Sequence, residues 1–292
     1  MADSSKWTHL IRFIAVDDDI VRLGQLVDVT RDVGLDSLEN NPIFAYIIEG
    51  SIFNGKITDK ILQVQQQLLS PVDPQHCSFI RCIGLNYKRH AEEARAPIPD
   101  VPPVFAKPRT AIANPYPGTI NIPTCAQDGT SDYEGELAVV IGKAARDITA
   151  QEAPSYILGY TAANDVSARA HQMKSSMPGF SKGMDSSCPL GPVLVSKSAI
   201  ENPQNLSIKS LYNGDVVQDG NTSDMIFGVY ELLAYLSQGT TLEPGSILLT
   251  GTPEGIGYFR NPRICLGDGD LIQIQLQGVG TLTNRIHYEQ DH

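Results

Sequence analysis

From residue 9 to about residue 70, apolar and polar positions alternate with the two-residue period of strands, through HLIRFIAV and RLGQLVDV and into the apolar run IFAYIIEG. Beyond that run, Ile61, Leu62, Val64, Leu68 and Leu69 fall on one side of a helical wheel, and the pattern predicts a helix over 58–69. Ser70-Pro71-Val72-Asp73-Pro74 then interrupts regular structure. It marks the expected boundary between a small N-terminal domain, 1–74, and a larger domain, 75–292.

The rest of the chain reads as short strands separated by Gly, Pro and Asn turns. Strands are expected over 79–85, 136–141, 157–162, 192–195, 207–212, 246–250 and 271–275. The clearest helix is expected over 223–236. Thr222 or Ser223 can cap it, Asp224 suits its positive end, and Met225, Ile226, Val229, Leu232, Leu233 and Leu236 form its apolar face. These elements predict a β-dominated α+β chain with peripheral helices. Neither an internal repeat nor a low-complexity segment interrupts it.

Composition narrows the function. The 292 residues are 41% hydrophobic and 19% charged, enough for one large β-rich domain and a small one. A net charge of −11 without a basic stripe argues against nucleic acid as a partner. It leaves the substrate open, because a bound metal reverses the sign that a small anion meets. Cys77, Cys82, Cys125, Cys188 and Cys265 are odd in number, irregularly spaced and without a C-x-x-C pair. Free thiols in a reducing compartment are therefore expected, not a disulfide framework or a zinc site. The start MADSSKWTHLIRF has neither an apolar core nor an Arg-rich presequence pattern. No run approaches the roughly 18–20 apolar residues of a membrane span. A soluble, cytoplasmic protein is expected.

The segment SDYEGELAVVIGK carries the most suggestive chemistry. Residues two apart on a strand point to one side, so Glu134 and Glu136 project together, and a cation would relieve their repulsion. Asp165, in NDVSAR, follows the apolar run YILGYTAA at the expected end of a second strand. Three carboxylates without His or Cys make a hard oxygen site suited to Mg²⁺ or Mn²⁺. Spacing alone also allows a solvated strand end. In CIGLNYKRHAEEARAP, His90 and Glu93 share a helix face, so Glu93 can orient the imidazole as a base. An ordinary exposed i,i+3 pair fits the same spacing. Pro97, Pro99, Pro102 and Pro103 then suit a stiff flap.

Together these segments resemble the fumarylacetoacetate hydrolase family from about Ile83 to Gly280. GLNYKRHAEEA is similar to its G-x-N-Y-x-x-H-x-x-E segment, VFAKPRTAI to its Phe-x-Lys-Pro strand and DYEGELAVVIGK to its metal strand. NDVSAR, FSKGMDSSCPLGP and the stretch from NGDVVQDG to TGTPEGIG complete the match. The resemblance implies a mixed β-roll, also described as a flattened β-barrel, that dimerises. It implies Mg²⁺ or Mn²⁺ on Glu134, Glu136 and Asp165, with His90, Glu93 and Lys182 as catalytic residues. Lys107, Gln172 and Thr252 align with substrate-binding positions. The implied activity is hydrolysis of a C–C bond in an acylpyruvate-like oxo-acid, with pyruvate leaving as its enolate. The alternatives are an oxaloacetate-type decarboxylase and a member recruited to a biosynthetic pathway with a bulkier substrate. A catalytically idle scaffold is the reading from another class, and loss of a metal carboxylate, His90 or Lys182 would favour it; all are present. One departure concerns selectivity: where many members have Asp-x-Gln after NDVSAR, this chain has Ala170-His171-Gln172. His171 reads as a partly exposed structural histidine.

Overall fold

The alternating pattern at the start of the chain becomes a set of paired strands in the computed structural model, which describes residues 6–16 and 18–290. The reading of the N-terminus rests partly on residues 1–5, which lie outside that range. In order come β1 (His9–Ala15), β2 (Val21–Leu26), α1 (Val33–Glu39), β3 (Phe44–Glu49) and β4 (Lys56–Leu69). Next are β5 (Ile80–Ile83), α2 (Lys88–Glu93), β6 (Val104–Lys107), β7 (Ile112–Ala113), β8 (Thr119–Ile122) and β9 (Ser131–Asp132). They lead to β10 (Gly135–Ile141), β11 (Ile157–Asn164), β12 (Ser167–Ala168), α3 (Arg169–Met173) and α4 (Gly179–Lys182). The chain ends with β13 (Cys188–Ser196), β14 (Ser207–Tyr212), β15 (Asp215–Asn221), α5 (Val229–Leu236), β16 (Ile247–Leu249), β17 (Leu271–Leu276) and β18 (Gly280–Tyr288).

β4 corrects the helix expected over 58–69. Leu62, Val64 and Leu68 are buried while Gln63, Gln65 and Gln67 are exposed, a two-residue period, and Ile61 lies 45% exposed. The apolar positions fit both periods. Strands on both sides decide between them: β3 pairs through Ala45 opposite Leu62, and β1 through Phe13 opposite Leu68. α5 is likewise shorter than expected. Thr222–Asp224 makes a single 3₁₀ turn, and Gly228, not Thr222 or Ser223, is the N-cap, with Glu231 accepting from its backbone N–H. The intervening backbone is held by Asn86, whose carbonyl accepts from Ile226 N–H and whose side chain bonds Phe227 at both N–H and C=O. Helical bonding is lost to those contacts.

An eleven-stranded sheet runs in the order β2-β3-β4-β1-β13-β11-β10-β16-β5-β6, with β7 beside β13. A second sheet of five strands runs β15-β14-β17-β18-β8. β16–β5, β13–β7 and β18–β8 are parallel and the other pairings antiparallel, which makes the architecture mixed. β1 also pairs with β2, so β1 to β4 close on themselves, while the rest of the larger sheet stays open, as in a β-roll. β10 is buried on both faces, which is why it runs on from Glu136 as the unbroken apolar stretch Leu137–Ile141. Leu137, Val139 and Ile141 pack with Ile208, Ile272 and Ile274 of the second sheet. Ala138 and Val140 pack on the other side with Ile80, Cys82 and Ile247. No helix among the described residues is long and apolar enough to cross a membrane.

The first seventy residues join the rest through β1, where His9 pairs with Val195, and through Asp32. Asp32 caps α1 by accepting from Gly34 and Leu35 N–H, and also accepts from the N–H and hydroxyl of Thr281 on β18. Asp32→Ala removes a cap and two long-range bonds to a carboxylate, and is expected to cost about 3 kcal/mol. A fall in the urea midpoint with unchanged slope is the expected result; a shift worth less than about 1 kcal/mol would show that the α1–β18 junction does not depend on this carboxylate.

Candidate active site

The β10–β11 hairpin assembles the acidic centre. Gly135 lies opposite Asn164 and Glu136 opposite Ala163, so the residues just beyond the open end, Glu134 and Asp165, face each other. Asp165 N–H donates to Glu134 C=O, and Asn164 Oδ1 accepts from Glu134 N–H. Carboxylate oxygens of Glu134, Glu136 and Asp165 come within 4.8 Å of one another, and all three residues are buried. Gly135 lets the second sheet approach between the two glutamates: a Cβ there would lie 2.5 Å from Ser210 Oγ.

Three cations meet these acids. Lys182, at the end of α4, places Nζ 2.9 Å from Glu134 Oε2 and 2.6 Å from Asp165 Oδ2. Lys107, at the end of β6, lies 2.6 Å from Asp165 Oδ1. Arg169, at the start of α3, places Nη1 2.7 Å from Glu134 Oε1 and donates through Nε to Asp132. Burial works against ionising Glu134, but Lys182 and Arg169 prevail and hold its pKa down at about 2. Glu136 goes the other way, pushed well above the usual carboxylate range by burial and then by Asp165 and Glu134. Burial also opposes the charge on Lys182, yet Asp165 and Glu134 raise its pKa. Four buried carboxyl groups, counting Asp132, thus face three buried cations, and Glu136 is the acid that burial and its acidic neighbours hold toward its neutral form. An all-oxygen donor set fits a hard divalent cation, whose charge would favour ionised Glu136, and the ammonium of Lys182 stands between Glu134 and Asp165.

The imidazole comes from the opposite side. Asn86, fully buried, bonds Thr250 C=O at 2.7 Å as well as Phe227, which fixes the start of α2. Gly251 makes that approach feasible, because at φ +94° a Cβ would lie 2.7 Å from Asn86 Cβ. On α2, His90 Nδ1 is 3.1 Å from Glu93 Oε2, and Glu93 Oε1 accepts from Gly255 N–H. Glu93 therefore joins the helix to the TGTPEGIG loop while it orients the ring. That loop also reaches the acidic centre, where Gly251 N–H donates to Glu136 at 2.6 Å.

A cavity of about 460 Å³ is lined by His90, Glu134, Gln172, Lys182 and Thr252, so five of the nine expected site residues share it. Glu136 and Asp165 are buried beside Glu134. Glu93 stands behind His90. Lys107 does not line the cavity; its ammonium bonds Asp165 and Val166 C=O. Thr252 Oγ1 donates to Gly135 C=O and accepts from Gln218, so its hydroxyl proton is already engaged. Gln172 Oε1 accepts from Arg169. His171 lies off the cavity, against Cys125 C=O and the Phe180 ring.

Arg169 and Asp132 had no assigned role in the sequence reading. Arg169 is buried and lines the cavity, and its Nη2, 2.8 Å from Asp132 Oδ2, has no hydrogen-bond geometry to any described group. Asp132 accepts from Arg169 and from Gly257 and Tyr258 N–H, fixing the loop beside His90. The available signal for both was the spacing of Asp132, Glu134 and Glu136: three acids at steps of two, once buried, need cationic partners.

A mixed β-roll that gathers three buried carboxylates, a buried lysine and an oriented imidazole at one cavity defines an enzyme. The profile described as "Fumarylacetoacetate (FAA) hydrolase C-terminal" matches residues 79–287. A protein of Neonothopanus nambi named caffeoylpyruvate hydrolase is 41% identical over 98% of this chain and 96% of its own. Human oxaloacetate tautomerase FAHD2A, mitochondrial, is 42% identical over 70% of this chain, which spans 65% of that protein. The solved structure of a 5-carboxymethyl-2-hydroxymuconate delta-isomerase from Mycobacterium smegmatis superposes with a TM-score of 0.79 at 33% identity, covering 96% of this chain and all of its own. The chain belongs to the fumarylacetoacetate hydrolase family.

Because Lys107 neutralises Asp165 where neither side chain reaches solvent, Lys107→Met is expected to cost about 3–5 kcal/mol of stability. Chemical denaturation checks this, and a loss below about 1 kcal/mol would mean that Lys182 alone satisfies Asp165.

Proposed function

We propose that the enzyme hydrolyses the C–C bond of an acylpyruvate-like oxo-acid with Mg²⁺ or Mn²⁺ held by Glu134, Glu136 and Asp165. The observation that carries this reading is one cavity shared by the acidic centre and an imidazole whose Nδ1 is already paired. The oxygen-only donor set favours these two metals over zinc. The bound cation supplies Lewis acidity toward the oxygens of a 2-oxo acid.

The protein groups do the rest. Glu93 holds the proton on Nδ1 and leaves Nε2 of His90 as the base. His90 removes a proton from water as the oxygen attacks the distal carbonyl. The bond between that carbonyl carbon and the methylene breaks, its electron pair passes to the pyruvate fragment, and the fragment takes back the proton. A carboxylic acid and pyruvate leave. Lys182 stabilises the negative oxygen that develops during cleavage. Arg169, which lines the cavity, offers positive charge to the substrate carboxylate while its Nη2 stays beside Asp132. Lys107 acts on the site by holding Asp165. Gln172 orients Arg169, and Thr252 shapes the floor.

An oxaloacetate-type reaction uses the same cation and is the second reading, supported by the name of the human relative. A homodimer follows from the family resemblance. Described cysteines that are all free suit the reducing cytoplasm.

Turnover of acetylpyruvate is expected to disappear with EDTA and return with Mg²⁺ or Mn²⁺; chelator-insensitive turnover would remove the metal. Glu136→Ala should abolish both metal binding and activity. His90→Ala should bind metal by calorimetry yet lose about 10²- to 10⁴-fold in kcat, and unchanged turnover would rule out its role as base.

A further inference from the structure

The cavity is polar at its buried end and apolar at its mouth. Glu134, Arg169, Lys182 and His90 are each less than a tenth exposed, whereas Val104, Met173, Met177 and Phe259 are 47%, 60%, 74% and 40% exposed. Large apolar groups left open around a cleft are costly unless something covers them. Every cationic side chain of the lining sits at the buried end, and each is paired there: Lys182 and Arg169 with carboxylates, His90 with Glu93. Arg263 stacks on the Tyr258 ring but is not part of the lining. A substrate anchored by its 2-oxo acid end therefore projects its far end among methionine, valine and phenylalanine. A second carboxylate in that position would meet no cationic side chain of the lining and would leave the apolar groups uncovered.

We infer that this mouth is an acyl-tail subsite which selects acylpyruvates ending in an aromatic or long apolar group over those ending in a second carboxylate. The proposal rests on the hydrolase reading above and adds the identity of the acyl group. Phe259 presents a ring face near His90, with centroids 6.1 Å apart, where a planar tail can pack against it. Met173 and Met177 are unbranched and adjust to tails of different shape. The same feature disfavours oxaloacetate, whose far end is a carboxylate and which leaves the apolar mouth uncovered.

The test compares kcat/KM of the metal-loaded enzyme for cinnamoylpyruvate, benzoylpyruvate, acetylpyruvate and fumarylpyruvate. The aromatic substrates are expected to exceed acetylpyruvate by on the order of tenfold or more, and fumarylpyruvate to fall at or below it. Met177→Lys, which places an ammonium on an exposed rim position, should raise the fumarylpyruvate-to-cinnamoylpyruvate ratio by roughly threefold or more. Hydrolysis of acylpyruvates with fumarylpyruvate equal to or better than the aromatic substrates would overturn the tail subsite and leave the hydrolase reading standing. An unchanged ratio in Met177→Lys would remove Met177 from it. No turnover of any acylpyruvate with metal bound would sink both.

Discussion

Asp165 has no access to solvent and carries a lysine on each oxygen, Lys107 on one and Lys182 on the other. Few arrangements constrain a structure more, because a buried carboxylate is tolerated only where its partners are fixed. The pairings tie together the end of β6, the end of β11 and the end of α4, and through Glu134 they reach β10 and Arg169 on α3. The site is thus part of what holds the sheet edges in place. Among the described residues, Glu136 is the acid of this cluster that bonds a backbone N–H, that of Gly251, and no cationic side chain.

Polar side chains also carry the surrounding loops. Asn86, Asp132 and Gln218 each bond backbone groups from more than one segment. Gln218, on the second sheet, accepts from Gly135 N–H and donates to Thr252 and to Pro253 C=O. The strand that carries Glu136 and the loop near the imidazole are therefore registered against one amide. Such junctions are specific, since every group in them is buried and must be matched. They explain how a chain rich in irregular connections holds His90, Glu93 and the acids in one geometry.

The cavity reverses the usual order of polarity, with charge inside and apolar groups at the rim. The charges remain inside because they neutralise one another. The rim follows from elements with other obligations: α2 and the 253–259 loop are held by Asn86 and Asp132, which turns Phe259 beside His90. On the proposed reading, reactivity belongs to the deep cluster and selectivity to the mouth.

Composition and local pattern were enough for the β-dominated class and for most strands of the larger body. The spacing of Glu134 and Glu136, even with Asp165 after a second apolar run, left a solvated strand end open until the family resemblance joined the three. The His90–Glu93 pairing followed from helical spacing. The helix expected over 58–69 failed because LQVQQQL satisfies both periods, and only the neighbouring β1 and β3 supply the ladder that makes it a strand. The early start expected for α5 failed because Asn86, some 140 residues away, claims the backbone there. Arg169 stood in the sequence without a role, because its function depends on Asp132 and Glu134 being buried at the same point. Sequence determined which chemical groups are present and which neighbours along the chain share a face. Tertiary structure alone decided which of them are dehydrated together, and the energies of charge pairing depend on that.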